Sequence, residues 1–149
     1  MTRYLGALGL LAVGADHLEQ AVLDHYSAIP TIGLLFALNF VGAVLLAVGL
    51  LAPVERLPGR AGDIAVRVLC VGGIGLAAGS LAGLLVSEGS GLFGFMETGY
   101  RAAVVLAIGL EGLTVVLLGA HLVATRPGRA HAATGGEPSP TRRTTHVPH

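Results

Sequence analysis

Charged and sulfur-containing side chains are scarce in this chain of 149 residues, and each shortage excludes a class of protein. Lysine and tryptophan do not occur, charged residues make up 12% of the sequence, and the formal net charge is zero. A soluble domain carries about twice that charged fraction. Without lysines or a basic stripe, nucleic acid is not an expected partner. The single cysteine, Cys70, cannot form an internal disulfide, which excludes paired thiol redox chemistry.

Long apolar runs dominate the rest of the sequence. Hydrophobic residues make up 53% of the chain, and 23 glycines accompany them. About 20 helical residues cross a hydrocarbon core of roughly 30 Å, and four runs reach that length. We therefore predict four transmembrane helices, which cover residues 4–23, 29–51, 64–87 and 100–124.

The connections between these runs predict how the helices are arranged. Short loops force consecutive helices to run antiparallel as neighbours. The sequence thus predicts an all-α domain over residues 1–124, a transmembrane up-down-up-down four-helix bundle within the lipid bilayer. From Thr125 onwards the chain is polar and contains several prolines, with too little apolar surface to fold. Residues 125–149 are predicted to form a disordered cytoplasmic tail.

The arginines predict the orientation of the bundle. With a cytoplasmic N-terminus, eight of the nine arginines lie on the inner side, and only Arg101 lies outside. We predict a multi-pass plasma-membrane protein with both termini in the cytoplasm. The first run also resembles a signal peptide, because Arg3 precedes an apolar stretch and small residues precede Asp16. Cleavage would leave three spans, and this alternative stays open.

Two polar side chains are predicted to share the middle of the membrane. Asn39 and Glu111 each lie about 15 Å from the outer surface by helical rise, and they could hydrogen-bond to each other. Ionisable groups at this depth cost roughly 2.5 to 3.5 kcal/mol and face the bundle interior. Glu111 is either a proton or cation relay or half of a neutral clasp between helices, and we favour the clasp.

A denser polar cluster lies at the outer end of the first helix. If the first helix continues, His17 and Asp24 are seven residues apart and share a helix face, and imidazole with carboxylate suits a divalent metal. A hydrogen-bonded polar cap is the alternative, and we favour it because the chain has no HxxxH, HExxH or CxxC spacing. A bis-histidine haem is not expected, because His17 and His121 belong to opposite membrane surfaces. The cluster comprises Asp16, His17, Gln20, Asp24, His25, Glu97 and Arg101.

Glycines mark the predicted helix-packing surface. Gly75, Gly79 and Gly83 fall on one face of the third helix as two consecutive GxxxG steps. In lipid, helices associate through close backbone packing rather than through the hydrophobic effect. This face either packs inside the monomer, which we favour, or binds a second copy or another membrane protein.

The segment from His25 to Asn39 carries a resemblance to a known family. Its sequence, HYSAIPTIGLLFALN, is similar to a segment of small uncharacterised four-span integral membrane proteins of high-GC actinobacteria. In those proteins a late histidine in the first helix, matched here by His17, precedes the segment. The resemblance implies a membrane fold and location over roughly residues 4–124, and it implies no activity.

Three hypotheses for the function follow from these residues. The first is a non-enzymatic membrane component or accessory subunit without a cofactor, which uses its glycine face to bind a partner. The second is a small proton- or ion-coupled carrier that depends on Glu111. The third is a metal- or redox-cofactor-binding membrane protein that uses His17 and His25.

Overall fold

The computed structural model describes residues 1–23, 30–90 and 102–126, and these residues are helical apart from short connections. Within these ranges four α-helices and one 3₁₀ turn form. They are α1 (Thr2–Leu23), α2 (Pro30–Leu51), the 3₁₀ turn (Val54–Arg56), α3 (Ala61–Ser90) and α4 (Ala102–Ala124). The all-α prediction is therefore confirmed for the described part of the chain. Residues 127–149 lie outside it, so the disordered tail stays a prediction.

Three of these helices are long and apolar enough to cross a membrane. The candidate spans in the described part of the chain are Thr31–Leu51, Ala61–Ser87 and Ala102–Ala124. The remaining helix, α1, has 22 residues but is less apolar than the other three, because its last two turns contain acidic and polar side chains. Three of the four predicted runs therefore form helices with the length and composition that a membrane span requires, and a transmembrane position for the first run remains a prediction.

Each helix packs against the helices before and after it in the chain, and α1 also packs against α4. Close contacts between α1 and α4 fall in opposite order along the two helices. A side-chain carbon added at Gly6 would meet Leu118, and one added at Gly9 would meet Thr114. Helices can approach this closely only where the side chain is hydrogen.

The connection from α2 to α3 is a compact turn. The 3₁₀ segment is followed by Gly59 at φ 63°, a left-handed conformation that glycine adopts without strain. Gly62, in the first turn of α3, lies so close to the backbone of Glu55 that an added Cβ would be 2.9 Å from its Cα. Glycine at these two positions allows α3 to fold back directly beside α2.

The bundle divides into two halves that differ in their interiors. One half contains the starts of α1 and α3 and the ends of α2 and α4, and we call it the proximal half. We call the other half, where α1 and α3 end, the distal half. The buried apolar cluster lies in the proximal half and comprises Ala7, Leu10, Ala47, Leu50, Cys70 and Leu118.

Candidate functional site

A cavity of about 410 Å³ occupies the distal half of the bundle. All four helices contribute to its walls, which are mainly apolar. Its volume lies in the range of small-molecule sites, which are typically apolar with a few placed polar groups. The polar lining residues are His17, Gln20, Asn39, Ser80, Ser87 and Glu111.

His17 is held in the cavity wall by both ring nitrogens. Its Nδ1 lies 2.9 Å from the carbonyl oxygen of Val13, one turn earlier in α1, and its Nε2 lies 2.8 Å from the Ser80 hydroxyl on α3. The ring also packs against Phe36 of α2, with centroids 5.1 Å apart. His17 is 7% exposed. Contacts from three helices therefore hold the imidazole in one position.

Glu111 extends from α4 toward the same group of residues. Its Oε1 lies 3.8 Å from His17 Nε2, and its carboxyl interacts with the Ser80 hydroxyl. The side chain is 2% exposed, and its Oε2 has no hydrogen-bond partner among the described residues. A buried carboxyl oxygen without a partner is costly unless a donor reaches it.

Asn39 lies in the α2 wall of the same cavity. Its Oδ1 is buried and, within the described part of the chain, also has no hydrogen-bond partner. Asn39 and Glu111 thus both line this cavity, and their pairing at the middle of the membrane stays a prediction. Their unpartnered oxygens are both acceptors and so cannot satisfy each other while the carboxyl is ionised.

The predicted outer cluster separates into described and undescribed residues. Gln20 Nε2 donates a 2.7 Å hydrogen bond to Asp16 Oδ2, one turn earlier in α1. His17 points into the cavity and does not join that pair. The other four residues lie outside the described residues, and they are Asp24, His25, Glu97 and Arg101. Within residues 1–23, 30–90 and 102–126, no three His, Cys, Asp or Glu side chains converge as a metal site would require.

The glycine face of α3 does not serve as the close-packing surface in the described part of the bundle. A Cβ at Gly75 or at Gly79 would meet no heavy atom within 4 Å, and both residues are exposed. Gly79 and Gly83 instead line the cavity. Close packing against α3 uses Gly42 and Gly49 of α2, where an added Cβ would lie within 3 Å of leucine side chains of α3. Binding of a partner to the outward glycines stays a prediction.

Sequence reasoning missed Ser80, which bridges the two ionisable groups of the site. A serine in an apolar helix can satisfy its hydroxyl on its own backbone, so it attracts little notice. The sequence did offer one signal. Ser80 is a polar residue inside the third apolar run, and it lies in the same half of the bundle as His17. The distance between His17 and Glu111 was also missed, since helical rise alone placed them at different depths.

The oxygens and nitrogens of this site can together hold and exchange a proton, and the apolar walls can surround the body of a small molecule. Comparison of the chain with protein-family models, curated proteins and solved structures finds no match. The resemblance of residues 25–39 to the actinobacterial membrane proteins therefore stays a prediction.

Proposed function

We propose that this chain is a multi-pass integral membrane protein, a non-enzymatic component that binds a small molecule in its distal cavity. The observation that carries the proposal is the cavity itself, in which the buried acceptors Asn39 Oδ1 and Glu111 Oε2 lack hydrogen-bond partners among the described residues. A buried polar group without a partner lowers the stability of the fold, and natural proteins keep such groups mainly at functional sites.

In this proposal the bundle is an up-down-up-down arrangement of four transmembrane helices, α1 included. The distribution of side chains on α1 supports this, because its polar residues Asp16, His17 and Gln20 are buried whereas Leu5 and Leu8 are about half exposed. A soluble helix has the opposite distribution. Large apolar side chains are exposed on the other three helices as well, as a lipid environment allows.

A retained first helix is part of the same proposal. Helix α1 contributes Ala7 and Leu10 to the buried apolar cluster and His17 to the cavity. Removal of this helix by a signal peptidase would leave α2 and α4 without one of the two helices that both pack against. We propose a plasma-membrane location with both termini in the cytoplasm, on the positive-inside argument.

The experiment that tests this proposal measures ligand binding by the purified full chain in lipid nanodiscs. The probes are 4-phenylbutan-1-ol and 4-phenylbutylamine, which share an apolar body and differ in the head group. We expect at least one of them to raise the thermal unfolding temperature of the wild type in proportion to its concentration. The matched control is Ala107→Phe, because Ala107 lines the cavity and a larger side chain there fills it. Equal shifts for both proteins, or none for either, would contradict the proposal.

A second candidate function is a small proton- or ion-coupled carrier that uses Glu111. The specific observation in its favour is the contact of the Glu111 carboxyl with His17 and Ser80, which offers a proton a second site. Uptake of a ligand into sealed vesicles with an imposed pH difference separates a carrier from a binding protein. Accumulation of 4-phenylbutylamine that Glu111→Gln abolishes is expected for a carrier, and binding without accumulation is expected for a component.

No contact in the described part of the chain favours the metal hypothesis. Both ring nitrogens of His17 are already hydrogen-bonded, so a metal would have to displace Val13 or Ser80. Its predicted partner His25 lies outside the described residues. We therefore do not extend the proposal to a metal or redox cofactor.

A further inference from the structure

Three groups that can pass a proton to one another lie in a row at the cavity wall. His17 of α1, Ser80 of α3 and Glu111 of α4 are connected by the 2.8 Å contact from His17 Nε2 to Ser80 Oγ and by the contact of Ser80 with the Glu111 carboxyl. We call these three residues the proton triad. The direct distance from His17 Nε2 to Glu111 Oε1 is 3.8 Å, so the serine hydroxyl is the bridge.

The hydrogen bond to Val13 determines which nitrogen of His17 faces the cavity. A carbonyl oxygen only accepts hydrogen bonds, so His17 Nδ1 carries a hydrogen and donates it to Val13. In the neutral ring Nε2 is then an acceptor, and Ser80 donates to it. In the charged ring Nε2 donates to Ser80, and the serine hydrogen turns toward Glu111. Both orientations satisfy the contacts observed.

The triad therefore holds one proton in either of two arrangements. The proton is on the Glu111 carboxyl beside a neutral imidazole, or it is on His17 beside the Glu111 carboxylate. The net charge of the triad is zero in both cases. Such neutrality matters because an isolated charge in an apolar interior is strongly unfavourable.

A ligand of positive charge would replace this proton. A bound cation beside Glu111 neutralises the carboxylate, so the triad no longer needs its own proton to remain neutral. Asn39 Oδ1 and Glu111 Oε2 require two hydrogen-bond donors, and a primary ammonium group has three N–H bonds. A quaternary ammonium has none and a hydroxyl has one. The ring of Phe36 in the cavity wall adds a favourable surface for a cation.

The walls of the cavity indicate the rest of the ligand. Leu35 and Leu38 of α2 and Gly79 of α3 line the cavity and are also exposed at the surface of the bundle. The cavity therefore reaches the apolar outer surface between α2 and α3. A ligand with an apolar body can enter there directly from lipid, whereas a small inorganic cation finds few oxygen ligands along this route.

We infer that the distal cavity binds a primary amine with an apolar body and releases the single proton of the proton triad in exchange. This inference rests on the proposed function, since it names the ligand class of the same site. The balance is one ammonium ion bound and one proton released, with no bond formed to the ligand. The charge inside the bundle stays constant throughout the exchange.

Other charged groups near the triad do not replace it in this role. On α1, Asp16 is bonded to Gln20 and does not line the cavity. Helix α2 has no charged residue along its length. On α3, Asp63 and Arg67 lie in the proximal half, and Glu88 lies about two turns beyond Ser80 near the end of the helix. On α4, His121 lies in the proximal half. Among the described residues that line the cavity, only His17 and Glu111 are titratable.

The experiment is isothermal titration calorimetry on the full chain in lipid nanodiscs, with 4-phenylbutylamine as the probe. Measurements at one pH in two buffers of different ionisation enthalpy give the number of protons released. We expect about one proton released for each amine bound. By linkage, the Kd for the amine rises about tenfold for each unit that the pH falls. The Kd for 4-phenylbutan-1-ol is expected to stay constant over the same range.

Two variants make the site assignment specific. Glu111→Gln is expected to weaken amine binding at least tenfold and to abolish proton release. Glu19→Gln, which removes an exposed carboxyl from the same half of the bundle, is expected to behave as the wild type. The quaternary 4-phenylbutyltrimethylammonium ion, which lacks N–H donors, is expected to bind at least tenfold more weakly than the amine.

The outcomes separate the two proposals. If the alcohol and the amine bind equally, without proton release and without pH dependence, the exchange inference is overturned while the binding function stands. If neither binds to the wild type, the proposed function itself fails. Should Glu111→Gln not fold, the wild-type proton count and pH series still decide the exchange.

Discussion

The two halves of the bundle differ in how their interiors are filled. The proximal interior is filled by small and apolar side chains, and its apolar cluster is fully buried. The distal interior contains a cavity and two buried oxygens that lack partners among the described residues. A bundle this small can keep an unsatisfied site in one half because close packing in the other half stabilises the helices. The comparison teaches that the closely packed interior and the candidate site are separated along the axis of the bundle.

The largest expected effect comes from the proximal half. Leu118→Ala removes a fully buried side chain that meets Gly6 and Gly73. We expect a loss of about 2 kcal/mol, at the lower end of the range for buried leucine because lipid also surrounds the separated helices. The free energy of unfolding in mixed micelles, compared between the variant and the wild type, measures this loss. The control is Leu113→Ala in the same helix, where the side chain is 55% exposed, and an equal loss there would remove the distinction between interior and surface.

Glycine substitutions sharpen the comparison between packed and open faces. At Gly9 an added Cβ would lie 2.5 Å from the hydroxyl of Thr114, which is itself bonded to the Leu110 carbonyl and cannot easily move. We expect Gly9→Ala to destabilise the bundle by about 1 kcal/mol, at the lower end of the range for overpacking, because a single methyl group is added. Gly75→Ala is the matched control, since nothing lies within 4 Å, and it is expected to be neutral or slightly stabilising by helix propensity.

Larger substitutions on the same glycine face of α3 test the predicted partner surface. If the outward glycines of α3 bind a second copy or another membrane protein, bulk at Gly75 and Gly79 would weaken that association without loss of monomer stability. Crosslinking in native membranes measures the association. Unchanged association with Gly75→Leu and Gly79→Leu together would exclude this face.

In the distal half a polar-to-apolar change should raise stability. Asn39→Leu replaces a buried acceptor that lacks a partner in the described part of the chain with an apolar side chain of similar size. We expect a gain of about 1 kcal/mol, together with loss of amine binding. Unfolding and calorimetry on the same variant measure the two effects. A loss of stability would mean that Asn39 is satisfied in the membrane and that the two halves do not differ as described.

The smallest effect concerns the ion pair at the proximal rim. Arg3 Nη1 lies 2.9 Å from Glu55 Oε2, and this hydrogen bond holds the pKa of the Glu55 carboxyl below its usual value. The pair therefore contributes stability above the ordinary carboxyl pKa of about 4, and the contribution disappears as the pH falls through the lowered value. Thermal unfolding at several acidic pH values should show a slightly flatter dependence for Glu55→Gln. An unchanged profile would mean that the exposed pair contributes nothing.

The apolar runs and their length were sufficient to predict the helices, because crossing a membrane imposes a length and a composition that can be read locally. The bounds of α2 and α4 agree with the predicted spans to within about two residues, since glycine, proline and polar residues interrupt the runs there. The sequence also identified Asn39, Glu111 and His17 as the polar residues that require an explanation.

Only the tertiary structure decided which of these residues meet. His17, Ser80 and Glu111 come from three helices, and their distances depend on helix rotation and offset, which no local pattern encodes. The GxxxG spacing of Gly75, Gly79 and Gly83 likewise did not identify the close-packing glycines, because spacing places residues on one face of a helix and does not say which neighbour that face meets. Length and polarity are properties of a single helix, so the sequence determined them. Proximity is a property of the packed bundle, and it brings an imidazole, a hydroxyl and a carboxyl to one cavity wall.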